Sequence, residues 1–421
     1  MFKNTVLFTI AMVIVLVFGC KKIEANGSTK SVLSEVERIT DREEKLVLRN
    51  ETPVVGANRT SEYIHLLKGK KVGIVANQTS VIFGNNNYIH IVDSLLNLDV
   101  NIKKVYAPEH GFRGKADAGE LLKDGVDTKT GLPILSIYGK SKKPSPEQLS
   151  NIDILVFDIQ DVGARFYTYI SHLHYIMEAC AEQNIPLLIL DRPNPNGHYI
   201  DGPILEAKYK SFIGMHPIPI VHGMTIGEYA QMINGEGWLK DHVKTDITVI
   251  PVENYEPSIS YSLPIKPSPN LPNDVSINLY PSLCFFEGTN VSIGRGTDQQ
   301  FQVVGSPFFN LKRMTHTFTP QPNEGAKYPK HQGNACHGYD LSKTKRLNSI
   351  NLDWLIEFYK ANQQYAKNET FFTDFFTKLA GTKQLQQQIE TGLSAEAIKQ
   401  SWEKGLEEFQ AKRKPYLIYS R

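Results

Sequence analysis

The sequence predicts an α/β fold: a mostly parallel sheet with helices between its strands, followed by a smaller second domain. Three observations carry this reading. Short apolar, β-branched runs alternate with segments of helical spacing from Lys70 onward. One run, in "NIDILVFDIQDVG" (151–163), is nearly continuous over Ile152, Ile154, Leu155, Val156 and Phe157, the pattern of a strand buried on both faces. Most of the runs end in polar, chemically capable residues, and in open parallel sheets such carboxyl ends border the ligand crevice.

The elements follow in order. "KKVGIVANQTS" (70–80) is a first strand ending at Asn77, Gln78 and Thr79. "NYIHIVDSLLNLD" (87–99) has helical spacing, with Ile89, Val92, Leu95 and Leu96 on one face. "VNIKKVYAPEHG" (100–111) is a strand that ends at Glu109 and His110, and "LPILSIYG" (132–139) is another. The buried strand ends at Asp158, Gln160 and Asp161, and a helix over Tyr169–Gln183 follows. "IPLLILDRPNPNG" (185–197) is a strand running into a loop, with Asp191, Arg192 and Asn194 at its end. Residues from about 202 to 306 are rich in Pro and Gly, but Thr225 and Glu228 form a capping box that starts a helix. Beyond about Phe308, amphipathic helices are expected near Leu352–Gln363, Thr370–Ala380 and Ala395–Ala411. The division is a larger domain over 51–305 and a smaller one over 306–421.

The chain has 421 residues, 46 basic and 44 acidic, for a formal net charge of +2. With no basic stripe, nucleic acid is not an expected partner. The first twenty residues differ from the rest. Lys3 precedes an apolar core from about Val6 to Phe18, and "VFGC" closes the segment. This is the shape of a signal peptide ending in a lipobox, with Cys20 as the lipidated residue. Residues 21–50 are polar and read as a tether. The expected location is the cell envelope, exported and held to a membrane by acyl chains, on a periplasmic or surface face. Cys180, Cys284 and Cys336 remain, with no CxxC spacing. Cys180, inside the predicted helix, is expected to pack in the core.

There is no GxGxxG after the first strand, no Walker A loop, no GxSxG elbow and no HExxH. No cofactor is expected. Carboxylates remain: Glu109, Asp158, Asp161, Asp191 and Glu287. Glycoside cleavage needs a carboxyl group that is protonated when it meets the leaving oxygen, and a second group to stabilise charge or activate water. Glu109, behind Pro108 at a strand end, is placed for the first role, with His110 orienting it. Asp158 and Gln160 would hold sugar or water. With Asp191, Glu109 and His110 would also make a metal site. Arg165 offers a planar fork for a substrate carboxylate, and Tyr167 a ring that stacks on a sugar or packs below the cleft.

Taken together, "YAPEHGFRG", "FDIQDVGARFYTYI", "LDRPNPNG", "SPNLPN" and "FEGTNVSIGRGTDQQFQVVGSP" resemble the bacterial exo-β-N-acetylmuramidases of the NamZ type, from Lys70 to the C-terminus. The resemblance implies a Rossmann-like domain and a smaller α+β C-terminal domain that closes the cleft. It implies removal of N-acetylmuramic acid from the non-reducing ends of peptidoglycan fragments. The family's PEHG glutamate, taken as catalytic, falls on Glu109. The lactyl carboxylate of that sugar wants a cation, from Arg113, Arg165, Arg192 or Arg295, with Arg165 the first choice. Asn77, Gln160, Asp191, Arg192, Asn194, Glu287 and Asn290 complete the expected binding set. Either the sugar's own acetamido group or a water assisted by Asp158 or Glu287 would attack the anomeric carbon. Two other classes fit the polar strand ends: a metal-dependent cell-wall amide or ester hydrolase, and a lipoprotein that binds muropeptides without cleaving them.

Overall fold

The computed structural model describes residues 52–85, 87–109, 111–113, 124–139 and 141–421. The signal segment, Cys20, the 21–50 tether and His110 lie outside the described residues.

The central sheet has seven strands. In chain order the strands of the whole chain are β1 (Val72–Ala76), β2 (Val81–Phe83), β3 (Tyr88–His90), β4 (Ile102–Ala107), β5 (Gly125–Val126), β6 (Pro133–Ser136), β7 (Ile154–Asp158), β8 (Leu187–Leu190), β9 (Ile247–Ile250), β10 (Val303–Ser306), β11 (His316–Phe318) and β12 (Cys336–Asp340). The central order is β5-β6-β4-β1-β7-β8-β9. Every pairing is parallel except β5 with β6. Counting only the parallel strands, the order is that of the doubly wound dinucleotide fold, with its reversal between β1 and β7. The fold is therefore Rossmann-like, although the glycine fingerprint for a dinucleotide is missing.

Burial explains why these runs are strands. All five residues of β1 and all five of β7 are buried. β-Branched and aromatic side chains suit such doubly covered strands. The helix Tyr169–Gln183 buries most of its length against the sheet and ends at Asn184 in the left-handed conformation. The expected capping box forms: the Thr225 hydroxyl accepts from the Glu228 amide, and Glu228 answers to the Thr225 amide.

The structure departs from the periodicity in several places. The helix expected over 87–99 covers only Ile91–Asn97. The His90 side chain accepts from the Val92 amide and starts the helix there. Tyr88–His90 instead pairs with β2 as a short hairpin. The stretch Asp274–Leu283 is a helix despite Pro281. The last expected helix is broken into Ala395–Gln400 and Glu403–Arg413. The later part of the chain also holds an antiparallel sheet, β10-β12-β11.

Residues Pro53–Arg421 form one compact unit. The end of the chain reaches back to the large sheet. The Tyr419 hydroxyl donates to Asp191 Oδ2 at 2.6 Å, and the Ile418 amide donates to Glu228 Oε1 at 3.0 Å.

Candidate active site

Glu109 sits two residues past the end of β4. The Tyr138 hydroxyl, beyond β6, donates to its Oε1 at 3.2 Å. The Thr168 hydroxyl, in the segment after β7, donates to its Oε2 at 3.0 Å. The Tyr169 hydroxyl lies 3.4 Å from the Glu109 carbonyl oxygen and accepts from Asn77 Nδ2 at 2.8 Å. Three strand ends, those of β4, β6 and β7, thus meet at one carboxyl group, and Asn77 beyond β1 reaches the same residue through Tyr169. This is the convergence that parallel topology dictates. Burial and the neighbouring Glu109 charge both push the Tyr138 phenol up, so it remains a proton donor toward Glu109 through the neutral range.

Glu109 opens into a cavity of about 730 Å³. Tyr138, Tyr167 and Thr168 share its wall with Glu287, Arg295 and Tyr328 from the later part of the chain. Arg295 Nε donates to Glu287 Oε1 at 2.6 Å. Burial disfavours the Arg295 charge, but Glu287 outweighs it and raises the guanidinium pKa. Lys330, also on the wall, donates to the carbonyls of Phe286 at 2.9 Å and Val291 at 3.1 Å, so it ties down the segment that carries Glu287.

Of the expected site residues, Glu109, Tyr167, Glu287 and Arg295 line the cavity. The others are placed differently. Asp158 is fully buried, and its two oxygens accept from Arg192 Nε and Nη2 at 2.6 and 2.9 Å. Burial pushes this carboxyl up and the guanidinium pulls it down. The two-pronged geometry is that of an ionised pair. Neither partner reaches the cavity wall, so Asp158 as a catalytic group and Arg192 as a ligand group are corrected to a buried brace.

Arg165, the first choice for the lactyl carboxylate, is also fully buried. Its Nη1 donates to the carbonyls of Pro203 and Ile218 at 2.8 and 2.6 Å, and its Nη2 to those of Leu379 and Ala380 at 3.1 and 2.7 Å. It cross-links three segments, because a buried guanidinium must spend its donors on nearby acceptors. Arg113 is tied to Asp127 at 2.7 Å and Asp93 at 3.3 Å.

Gln160 donates to the Asp161 and Pro193 carbonyls, and Asn194 to the Met224 carbonyl. Asp191 accepts from Thr225, Gly227 and Tyr419. Asn290 donates to Asn362. These are structural polar contacts, and Asn77 holds Tyr169 with its amide nitrogen while its Oδ1 accepts from the Thr79 amide and hydroxyl. Sequence reasoning missed Tyr138, Thr168 and Tyr328. Tyr138 closes a strand already predicted, and a phenol was not counted among the polar endings. Among the described residues, no group of three His, Cys, Asp or Glu side chains is gathered to hold a metal.

Sequence models of the family match two stretches, described as exo-β-N-acetylmuramidase NamZ, N-terminal (residues 72–275) and C-terminal (residues 278–419). The chain belongs to the NamZ family. It is 42% identical over 375 residues to the peptidoglycan β-N-acetylmuramidase NamZ of Bacillus subtilis strain 168, covering 85% of this chain and 89% of that one. Two crystal structures of DUF1343 family proteins from Bacteroides fragilis NCTC 9343 share the fold. One is 46% identical with a TM-score of 0.80 over 88% of this chain and 99% of its own. The other is 28% identical with a TM-score of 0.74 over 87% and 99%. In this NamZ family member the cavity draws its walls from both matched stretches.

Proposed function

We propose that the protein releases N-acetylmuramic acid from the non-reducing ends of peptidoglycan fragments, with Glu109 as the general acid. The observation that carries this is one carboxyl group at a strand end, held by two neutral hydroxyls and open to a cavity of about 730 Å³. Placed there, the Glu109 carboxyl group faces whatever the cavity holds. It can lend a proton to the glycosidic oxygen as the C1–O bond breaks. Water then supplies its oxygen to C1 and returns a proton to Glu109, so the enzyme is regenerated.

Glu287 is the other carboxylate on the described cavity wall, and Arg295 holds it in an ion pair. A carboxylate neutralised in this way is a poor covalent nucleophile. That favours attack by water or by the sugar's own acetamido group. Arg295 takes over from Arg165 as the cation for the lactyl carboxylate, since among the described residues it is the arginine that lines the cavity. His110, next in sequence to Glu109, is kept as its orienting neighbour. Export and lipid anchoring at Cys20 are part of the same proposal and rest on Lys3, the apolar core and the Gly19–Cys20 pair. Such an anchor would hold the enzyme where wall fragments are found.

The test is release of N-acetylmuramic acid from a chromogenic glycoside by the wild type and by Glu109→Gln. Turnover by the wild type and its near-complete loss in the variant are expected. Equal turnover by both would remove Glu109 from the role. Tight binding of an intact disaccharide without product would instead favour a capture protein.

A further inference from the structure

Tyr328 is 92% exposed, the most exposed large apolar side chain among the described residues. Yet it lines the cavity that holds Glu109. Phe375, 39% exposed, lines it as well. Single exposed aromatics elsewhere on a surface need no explanation. An exposed ring at the mouth of a catalytic cavity is different, because whatever enters must pass it.

The backbone beneath Tyr328 is not loose. Asn323 and Ala326 exchange backbone hydrogen bonds of 3.2 and 3.1 Å. Asn323 Nδ2 donates to the Thr297 carbonyl at 3.1 Å, and Asn270 Nδ2 to the Gly325 carbonyl at 2.8 Å. Gly325 has φ +90°, and a Cβ there would meet Pro269 at 2.6 Å. On the other side, Lys330 is fastened to the carbonyls around Glu287. The fold therefore fixes both flanks and leaves the ring between them in solvent. Ordering such a loop at the moment of binding costs little, since it is already ordered.

We propose that Tyr328 is the platform for the sugar on the leaving-group side of the scissile bond. This rests on the muramidase reading. An exo-acting enzyme holds the terminal sugar inside and leaves the next ring at the mouth. A β-linked N-acetylglucosamine has its substituents equatorial, so each ring face presents axial C–H bonds. Those faces are apolar and slightly positive, and they lie flat against the negative face of an aromatic ring. Tyr328 would thus select for a sugar aglycone and help keep the glycosidic oxygen beside Glu109.

The experiment compares two substrates, both read by release of N-acetylmuramic acid: its β-linked disaccharide with N-acetylglucosamine, and its methyl β-glycoside. Tyr328→Ala is expected to lower kcat/KM about tenfold on the disaccharide and to leave the methyl glycoside within about twofold. Tyr328→Phe and Tyr328→Trp are expected to retain the wild-type ratio. Equal losses on both substrates, or no loss on the disaccharide, would overturn the proposal while leaving the muramidase reading intact. If the wild type releases no N-acetylmuramic acid from either substrate, the muramidase reading falls and takes this inference with it.

Discussion

At the end of β4, Glu109 faces a cavity with two hydroxyls bound to its oxygens. Two places along the same sheet, at the end of β7, Asp158 is sealed from solvent and gripped by Arg192. Both are acids at the carboxyl ends of parallel strands, and in sequence they look alike. Their partners separate them. A guanidinium neutralises a carboxylate and holds it charged, which suits a brace. Two hydroxyls and an open cavity put the Glu109 carboxyl group where a substrate oxygen can reach it, which suits an acid. The crevice rule for α/β sheets points to one edge but not to which strand end on it opens into the cavity.

The contrast is sharpest if activity and stability are measured on both sides of it. Glu109→Gln should lower kcat by up to about 10⁴-fold while moving Tm by only a few degrees. Comparable losses in Tm would make Glu109 a structural group like Asp158. Arg192→Met should do the reverse. It strands a buried carboxylate and should cost about 3–5 kcal/mol in urea unfolding, with kcat per folded molecule unchanged. Loss of activity in a fully folded sample would return Arg192 to the site.

Asp161 gives a pH-dependent form of the same test. Burial raises its pKa from 3.8 to about 7, so the folded state holds a proton that the unfolded state has lost. Its contribution is therefore undiminished below about pH 4, and it is lost as pH rises toward 7. Around it, His222 lies 3.9 Å from its Oδ2, is itself held low by burial, and stays neutral in this window. Asp161→Asn should gain on the wild type by about 2 kcal/mol between pH 5 and pH 8. A stability difference that does not change across this range would rule out a raised pKa.

The smallest expected effect concerns specificity. Arg295→Ala should cut the preference for N-acetylmuramic over N-acetylglucosamine glycosides by about tenfold, roughly one charged hydrogen bond. Arg165→Lys should leave that preference alone, since Arg165 touches only backbone carbonyls. The opposite pattern would exchange the two arginines.

The sheet was legible because a strand buried on both faces leaves a run such as Ile154–Phe157 that few other structures need. Helix limits were less so. His90 caps the next helix with its side chain, an interaction that periodicity does not register. Pro281 hid a helix whose core is otherwise buried. The strand-end rule expects Glu109 in the cleft, and the structure puts it on the cavity wall. The same logic misplaced Asp158, Arg165 and Arg192, because sequence displays polarity and not the partner that consumes it. Tyr328 left no periodic trace. Its meaning comes from the fold bringing residues 270, 297 and 330 around it.

The clasp between Tyr419 and Asp191 spans 228 positions of sequence. Closing a loop of that length is entropically costly, and contacts of such separation form late in folding. As the chain leaves the ribosome, the buried acid at the end of β8 can be held by Thr225 and Gly227 but must wait for Tyr419 to gain its remaining donor. During that interval the nascent chain carries an unfinished strand end. A protease or chaperone meeting it then would encounter a species that the mature enzyme never displays.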